Sequence, residues 1–245
     1  MDKKSINVEK APLFSLFWEN SKFNRHTQRQ LEKRLQVDAE SVRVIPQLFY
    51  SSDETVLFAP DDALSALNKK RESGRDFSEK PLSMKQLGSL FSSFGAKSAD
   101  RRFIPSAGAK YPVEVFAFLL NVKGPLNRKA VYYNPDNHSL SVIAACCGWD
   151  ELSVECGLFV DVAPAVLFVF AGFAERVIHK YGERGGRFFL IEVGHYAQSL
   201  SLRIAEQGLA GVEAGGLYDN RIKERLGLEG TGALIALGAA CGNPS

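Results

Sequence analysis

Long apolar runs are missing from this 245-residue chain. The longest, Val162 to Phe173, is interrupted by Pro164 and Gly172 and is too short to cross a bilayer as a helix. Cysteines are few: Cys146, Cys147, Cys156 and Cys241 form no CxxC and no Cys/His pair at zinc spacing. This excludes a disulfide scaffold and a zinc knuckle, and reads as reduced, mostly buried thiols in a cytoplasmic protein. Charge of one sign is also lacking: 30 Lys and Arg against 28 Asp and Glu leave +2, too little to make a nucleic acid the expected partner. The first residues, MDKKSINVEK, carry basic side chains with no apolar run behind them, so no secretory signal is expected. There is no HExxH, no Ser/His/Asp order and no GxGxxG after a strand, which leaves a zinc protease, a serine hydrolase and a Rossmann dinucleotide site without support. No metal site is expected. Low-complexity segments and internal repeats are absent as well.

What is present is ordinary globular material, 45% apolar and 24% charged, and long enough for a sizeable core. Residues 1–60 read as an N-terminal helical extension, with one or two helices over 15–35, packed on a main domain covering 61–245. Residues 53–65 read as a loop with a Pro-Asp-Asp turn that leads into a helix. Ser83 and Gln86 form a capping box ahead of the stripe Leu87, Leu90, Phe91, Phe94, which predicts a helix closed by Gly95. Residues 113–120 and 165–171 are β-forming and apolar throughout, as in strands buried on both faces. Residues 130–134 and 139–143 flank a Pro-Asp-Asn turn and predict a hairpin. The longest helix spans 187–207, with Phe189, Leu190, Val193, Tyr196, Ala197, Leu200 and Ile204 on one stripe. Phe188, Ile191 and Leu202 widen that stripe nearly all round, a pattern of helices buried between subunits. Asp219 reads as the cap of a short helix ending at Gly227, and 232–238 as a last strand. The fold class is α+β, with helices around a mixed central sheet.

Four segments carry residues suited to chemistry. In the first, Arg71, Ser73 and Arg75 follow Lys69 and Lys70, so guanidinium, ammonium and hydroxyl groups cluster in a way that suits a phosphate. A solvated basic loop is the plainer reading of the same charges. The second is Pro105-Ser106-Ala107-Gly108, small residues that let a backbone approach a planar ligand, or simply form a tight turn. The third places Lys180 beside Tyr181, ahead of Gly-Glu-Arg-Gly-Gly. Burial would lower the lysine pKa and make it a usable base, whereas a charged loop pairing its arginines with Glu183 and Glu192 is the alternative. The fourth, Gly215-Gly216, offers free backbone N–H groups before a helix. His26, His138, His179 and His195 are scattered, and for His195 helix packing is the simpler role.

Taken together, RESGRDF (71–77), PLSMKQLGSLF (81–91), PSAGAKYPVEVF (105–116), a YY–NP–H–L hairpin (132–140), KYGERGGRF (180–188), EVGHYAQSL (192–200) and GGLYDNRIKERLGL (215–228) resemble, in order and spacing, the SagB-type dehydrogenases. These are nitroreductase-fold flavoenzymes that include azoline oxidases. WENSKFNR (18–25) resembles the N-terminal segment of the same family. The resemblance implies a nitroreductase-like fold and a homodimer with FMN at the interface. In it Arg71, Ser73 and Arg75 would hold phosphate and ribityl chain, Pro105, Ser106, Ala107 and Gly108 would run along the flavin, and Gly215 and Gly216 would face its reactive end. Lys180 and Tyr181 would be catalytic. The implied reaction is oxidation of a peptidyl thiazoline or oxazoline to the azole in a modified precursor peptide, beside a cyclodehydratase or other tailoring enzyme. A generic NAD(P)H-dependent nitro- or quinone reductase and a non-catalytic scaffold subunit are the alternatives. Two departures stand out. Lys110 occupies a position where the family pattern is apolar, and Gly186 one where an aromatic often follows, which implies a more open pocket there.

Overall fold

The computed structural model describes residues 10–39, 62–98 and 100–245. The expected boundary near residue 60 and most of the 53–65 loop lie outside the described residues. Two helices form in the N-terminal segment, α1 (Pro12–Ser21) and α2 (Arg25–Ala39). The break between them follows from Asn24, whose side-chain oxygen accepts from the N–H groups of His26 (2.8 Å) and Thr27 (3.2 Å) and so starts the second helix. Asp62 caps α3 (Ala63–Lys70), accepting from Ser65 N–H at 2.8 Å. The capping box of α4 (Met84–Ser92) is present in both directions, Ser83 Oγ to Gln86 N–H and Gln86 Oε1 to Ser83 N–H. Its apolar stripe, Leu87, Leu90 and Phe91, is buried.

A short hairpin, β1 (Ala96–Ser98) and β2 (Arg101–Arg102), precedes the main sheet. That sheet has six strands: β3 (Val113–Leu119), β4 (Lys129–Asn134), β5 (Ser139–Ala145), β6 (Val166–Gly172), β7 (Ala210–Ala214) and β8 (Leu234–Gly242). They lie in the order β5-β4-β3-β6-β8-β7. Every neighbouring pair is antiparallel, so the sheet is not mixed as expected. Both faces of the central strands β3 and β6 are covered by helices without any parallel pair in the sheet. Along β3, Val113, Val115, Ala117 and Leu119 face one core layer with α1, α4 and α7, while Phe116 and Phe118 face the other with α5 and α8. The same alternation runs along β6.

Four helices follow or interleave with the sheet: α5 (Trp149–Cys156), α6 (Glu175–Tyr181), α7 (Glu183–Glu206) and α8 (Asp219–Arg225). The long helix starts four residues earlier than the sequence pattern predicts. It begins directly after Gly182, which sits at φ 55° and breaks it from α6. Its buried stripe is narrower than expected. Leu190 and Ile191 are 40% and 55% exposed in the single chain, so the apolarity beyond the stripe is surface, not core. Asp219 is the first residue of α8 and not its cap; its carboxylate instead accepts from Phe23 N–H at 3.0 Å.

Candidate active site

Strand β6 ends at Gly172, opposite Val113 at the start of β3, so α6 and the segment leading into β3 emerge at one end of the sheet. There Lys180 and Tyr181 close on Gly108. A Cβ on Gly108 would lie 2.6 Å from Tyr181 Oη and 2.9 Å from Lys180 Nζ. A larger residue would push these side-chain ends aside, and Gly108 is also left-handed at φ 60°. Ala109 (φ 53°) and Tyr111 (φ 44°) are left-handed too. Such conformations cost non-glycine residues about 1–3 kcal/mol each and concentrate at ligand sites. Tyr181 is set by an edge contact with Phe188, 5.1 Å between ring centroids, and Lys180 Nζ lies 5.1 Å from the Tyr181 ring centre. Lys180 is exposed in the single chain, so the burial that would make it a base is not provided by its own fold.

Behind this turn lies a charged cluster whose assembly the sequence did not reveal. Glu114, alone among apolar residues on β3, is buried with Arg102 Nη2 at 3.5 Å and Arg176 Nη1 at 2.5 Å. Tyr132 Oη donates to its second oxygen at 3.2 Å. Arg176 also donates to the Tyr111 carbonyl (2.8 Å), and Arg102 to that of Val113 (3.0 Å). The strained 105–111 segment is thereby anchored from beneath by two arginines that a single carboxylate holds in place. Glu192 on α7 joins them. It is 2% exposed, lies near the Ser106 hydroxyl and the Val113 N–H, and keeps one oxygen without a hydrogen-bond partner. Burial pushes its pKa up to about 7, against the pull of Ser106, Val113 and Arg102. Glu183 and Glu192 therefore do not pair with the loop arginines: Glu183 accepts from Leu13 N–H (2.8 Å) and Phe14 N–H (2.9 Å) instead.

Arg71, Ser73 and Arg75 lie along the other side of the molecule. Gly74 N–H bonds to Gly211 O at 2.9 Å, which lays this segment against the start of the edge strand β7. Ser73 and Arg75 are exposed and Arg71 half-buried, so the cluster faces outward. Gly215 and Gly216 follow the other end of β7; Gly215 has open space where a Cβ would stand, and Gly216 packs on Phe23 and on the backbone of Gly157. The two segments are thus separated by the length of the strand, roughly 13 Å for four residues.

The register places Gly215-Gly216 at the same end of the sheet as Lys180-Tyr181 and Gly108, because Ala214 pairs with Gly238, Gly238 with Val169, and Gly172 with Val113. Across the sheet, however, β7 and β3 are three strand spacings apart, about 14 Å. The single chain hence carries two groups of site residues: 71–75 with 215–216 along β7, and 105–108 with 180–181 at β3 and β6. Among the described residues, no group of three or more His, Cys, Asp and Glu could hold a metal ion, and no helix is long and apolar enough to cross a membrane.

The family model named Nitroreductase family matches residues 69–242. The chain belongs to the nitroreductase family. A relative from Methanocaldococcus jannaschii, named "Putative nitroreductase MJ1384", is 37% identical over 163 residues, covering 64% of this chain and 80% of its own. Among solved structures, the E. coli microcin synthetase McbBCD complex with truncated pro-MccB17 bound is similar at a TM-score of 0.66 and 20% identity, over 91% of this chain and 95% of that one. An NADPH:FMN oxidoreductase from Vibrio harveyi complexed with NAD+ is similar at a TM-score of 0.50 and 17% identity, over 76% and 70%. This nitroreductase-family oxidoreductase therefore shares its fold with both.

The signal that could have exposed the hidden cluster is a carboxylate in an apolar frame. Glu114 interrupts VEVFAFLL, and Glu192 falls beside Val193 on the buried side of α7. Neither position is compatible with burial unless a cation or donor waits across the fold.

Proposed function

We propose that this nitroreductase-family protein is an FMN-dependent dehydrogenase of the SagB type, oxidising a peptidyl azoline to an azole in a modified precursor peptide. The observation that carries this reading is the convergence of Lys180 Nζ and Tyr181 Oη on Gly108. An amine and a phenol over one strained, small-residue turn supply a base and a donor at a surface where a planar ring can lie.

The residues fit FMN. Arg71, Ser73 and Arg75, with Lys69 and Lys70 before them, offer cations and a hydroxyl to a phosphate dianion, and Gly215 leaves its backbone uncovered by side chains. FMN, when bound, supplies the two-electron acceptor. The chain's own residues do the rest. Azoline oxidation takes a proton from the carbon next to the C=N group and a hydride from the adjoining ring carbon, leaving an aromatic ring. Lys180 takes the proton, and Tyr181 orients the amine. General-base work by this amine calls for cover from water. The bound cofactor and a second subunit would cover it.

A homodimer suits both halves of the site. The two groups of residues lie on strands three spacings apart in one sheet, and exposed Leu13, Leu16, Phe17, Leu190 and Ile191 offer apolar surface on α1 and α7 to a second copy. Residues 1–60 as an extension that reaches a cyclodehydratase, and a cytoplasmic location, complete the reading. The similarity to a microcin synthetase complex with its peptide bound supports the substrate class, and that to an NADPH:FMN oxidoreductase supports the cofactor.

The test is to load the purified protein with FMN and mix it with a thiazoline-bearing peptide. The expected product is lighter by two hydrogens and absorbs as a thiazole. An FMN-loaded protein that leaves the peptide unchanged while NAD(P)H rapidly bleaches its flavin would establish the generic reductase in its place.

A further inference from the structure

The segment Lys10–Phe23 touches both of the turns that bear candidate site residues. At its start, Leu13 and Phe14 donate their N–H groups to Glu183, two residues beyond Tyr181. Lys10 Nζ lies 2.9 Å from His179 Nδ1, next to Lys180. In its middle, the Phe14 ring occupies the place of a side chain on Gly186: a Cβ there would lie 2.3 Å from the ring. The position expected to open the pocket is therefore filled, by α1. Trp18 continues the contact onto Phe189, 5.7 Å between ring centroids. At its end, Phe23 donates its N–H to Asp219, pairs with Tyr218 as an isolated bridge, and brings its ring 3.3 Å from where a Gly216 Cβ would stand. The ten residues of α1 span about 15 Å, and the whole segment reaches from the turn after α6 to the turn after β7.

We propose that Lys10–Phe23 is a strap that holds the Lys180-Tyr181 turn and the Gly215-Gly216 turn in fixed register within one chain, with Glu183 and Phe23 as its clamping residues. Both clamps are positioning residues: neither lies among the groups assigned to cofactor or substrate. Each end uses backbone N–H groups on a carboxylate, so the strap is fixed by geometry and tolerates little sliding. Its relevance to catalysis rests on the reading of those turns as the site, but its mechanical role does not.

Amide hydrogen exchange on the full-length protein without added cofactor tests the strap by itself. Glu183→Ala cuts one end. If the strap couples the turns, exchange quickens at least several-fold at Gly216–Asp219, the opposite end, as well as at Leu13 and Phe14. Asp219→Ala, which removes the acceptor of the Phe23 N–H, makes the reciprocal measurement at Leu13 and Phe14 should the first variant fold poorly, and Asp219→Asn, which keeps an acceptor oxygen, should restore much of the protection. Exchange that quickens only beside each substitution overturns the strap. FMN binding and turnover are then read on the same variants. Coupled exchange in a protein that binds no flavin leaves the strap standing and removes the flavin reading. Uncoupled exchange in an active flavoenzyme does the reverse. If both hold, kcat falls about tenfold with FMN content unchanged.

Discussion

The carboxylate of Glu192 is buried close enough to Ser106 for that hydroxyl to stabilise its charge, which links the longest helix to the turn that carries Gly108. Burial raises the Glu192 pKa to about 7, so the folded protein holds this proton more tightly than the unfolded chain. The stability it contributes is full below the ordinary glutamate pKa and is lost as pH rises through about 7. The whole swing is on the order of 3 kcal/mol. Glu192→Gln removes the titration. Glutamine matches the neutral acid, so the melting temperatures of the two proteins should lie close together near pH 5 and separate by pH 8, with the Glu192→Gln protein melting higher. Parallel curves over that range would show that Glu192 does not titrate there.

The pair Lys180 and Tyr181 divides into two experiments. Lys180→Ala should lower azoline oxidation by 100-fold or more, the range of a lost general base, while FMN stays bound. Tyr181→Phe keeps the ring contact with Phe188 and loses only the hydroxyl, so a smaller loss and a changed pH profile are expected. Single-turnover rates with thiazoline peptide measure both.

Arg71→Ala and Arg75→Ala each remove a charge from the segment held against β7 by Gly74. Charge-assisted hydrogen bonds contribute about 1.5–3 kcal/mol, so FMN affinity should fall between tenfold and a hundredfold per residue. Fluorescence quenching of added FMN gives the dissociation constants. Affinities unchanged in both variants would return the segment to a solvated basic loop.

Glu114 holds Arg102 and Arg176 together under the strained turn. Glu114→Ala leaves Arg102, with its side chain 15% exposed, without its carboxylate. A cost of about 3–5 kcal/mol is expected from urea unfolding. Replacing Arg102 with Met in the same protein should recover part of it, since the unpaired charge is then gone.

Gly186→Leu should displace Phe14 and lower stability by about 1–3 kcal/mol, the usual cost of overpacking. Combining it with Phe14→Ala should restore much of the loss, because the new side chain then occupies the vacated ring position. A double variant no more stable than the single one would mean that α1 has left its seat.

Local physics made much of this protein legible in its sequence. A capping box needs only neighbours in the chain, so Ser83 and Gln86 announced α4, and the Pro-Asp-Asn turn announced the β4–β5 hairpin. Gly208 marked the end of the long helix. The ordered motifs from Arg71 to Leu228 carried the resemblance that the family match then bore out at the level of the fold. Tertiary structure decided what no local pattern encodes. Strand order and direction depend on which buried faces meet, so the sheet is antiparallel throughout although its central strands β3 and β6 are buried on both faces. The partners of Glu114, Glu183 and Asp219 lie far off in sequence, and a buried carboxylate shows its need for a donor without naming it. Gly186 marked a gap in the family pattern, and only the packed fold puts Phe14 into it, 172 positions earlier in the chain.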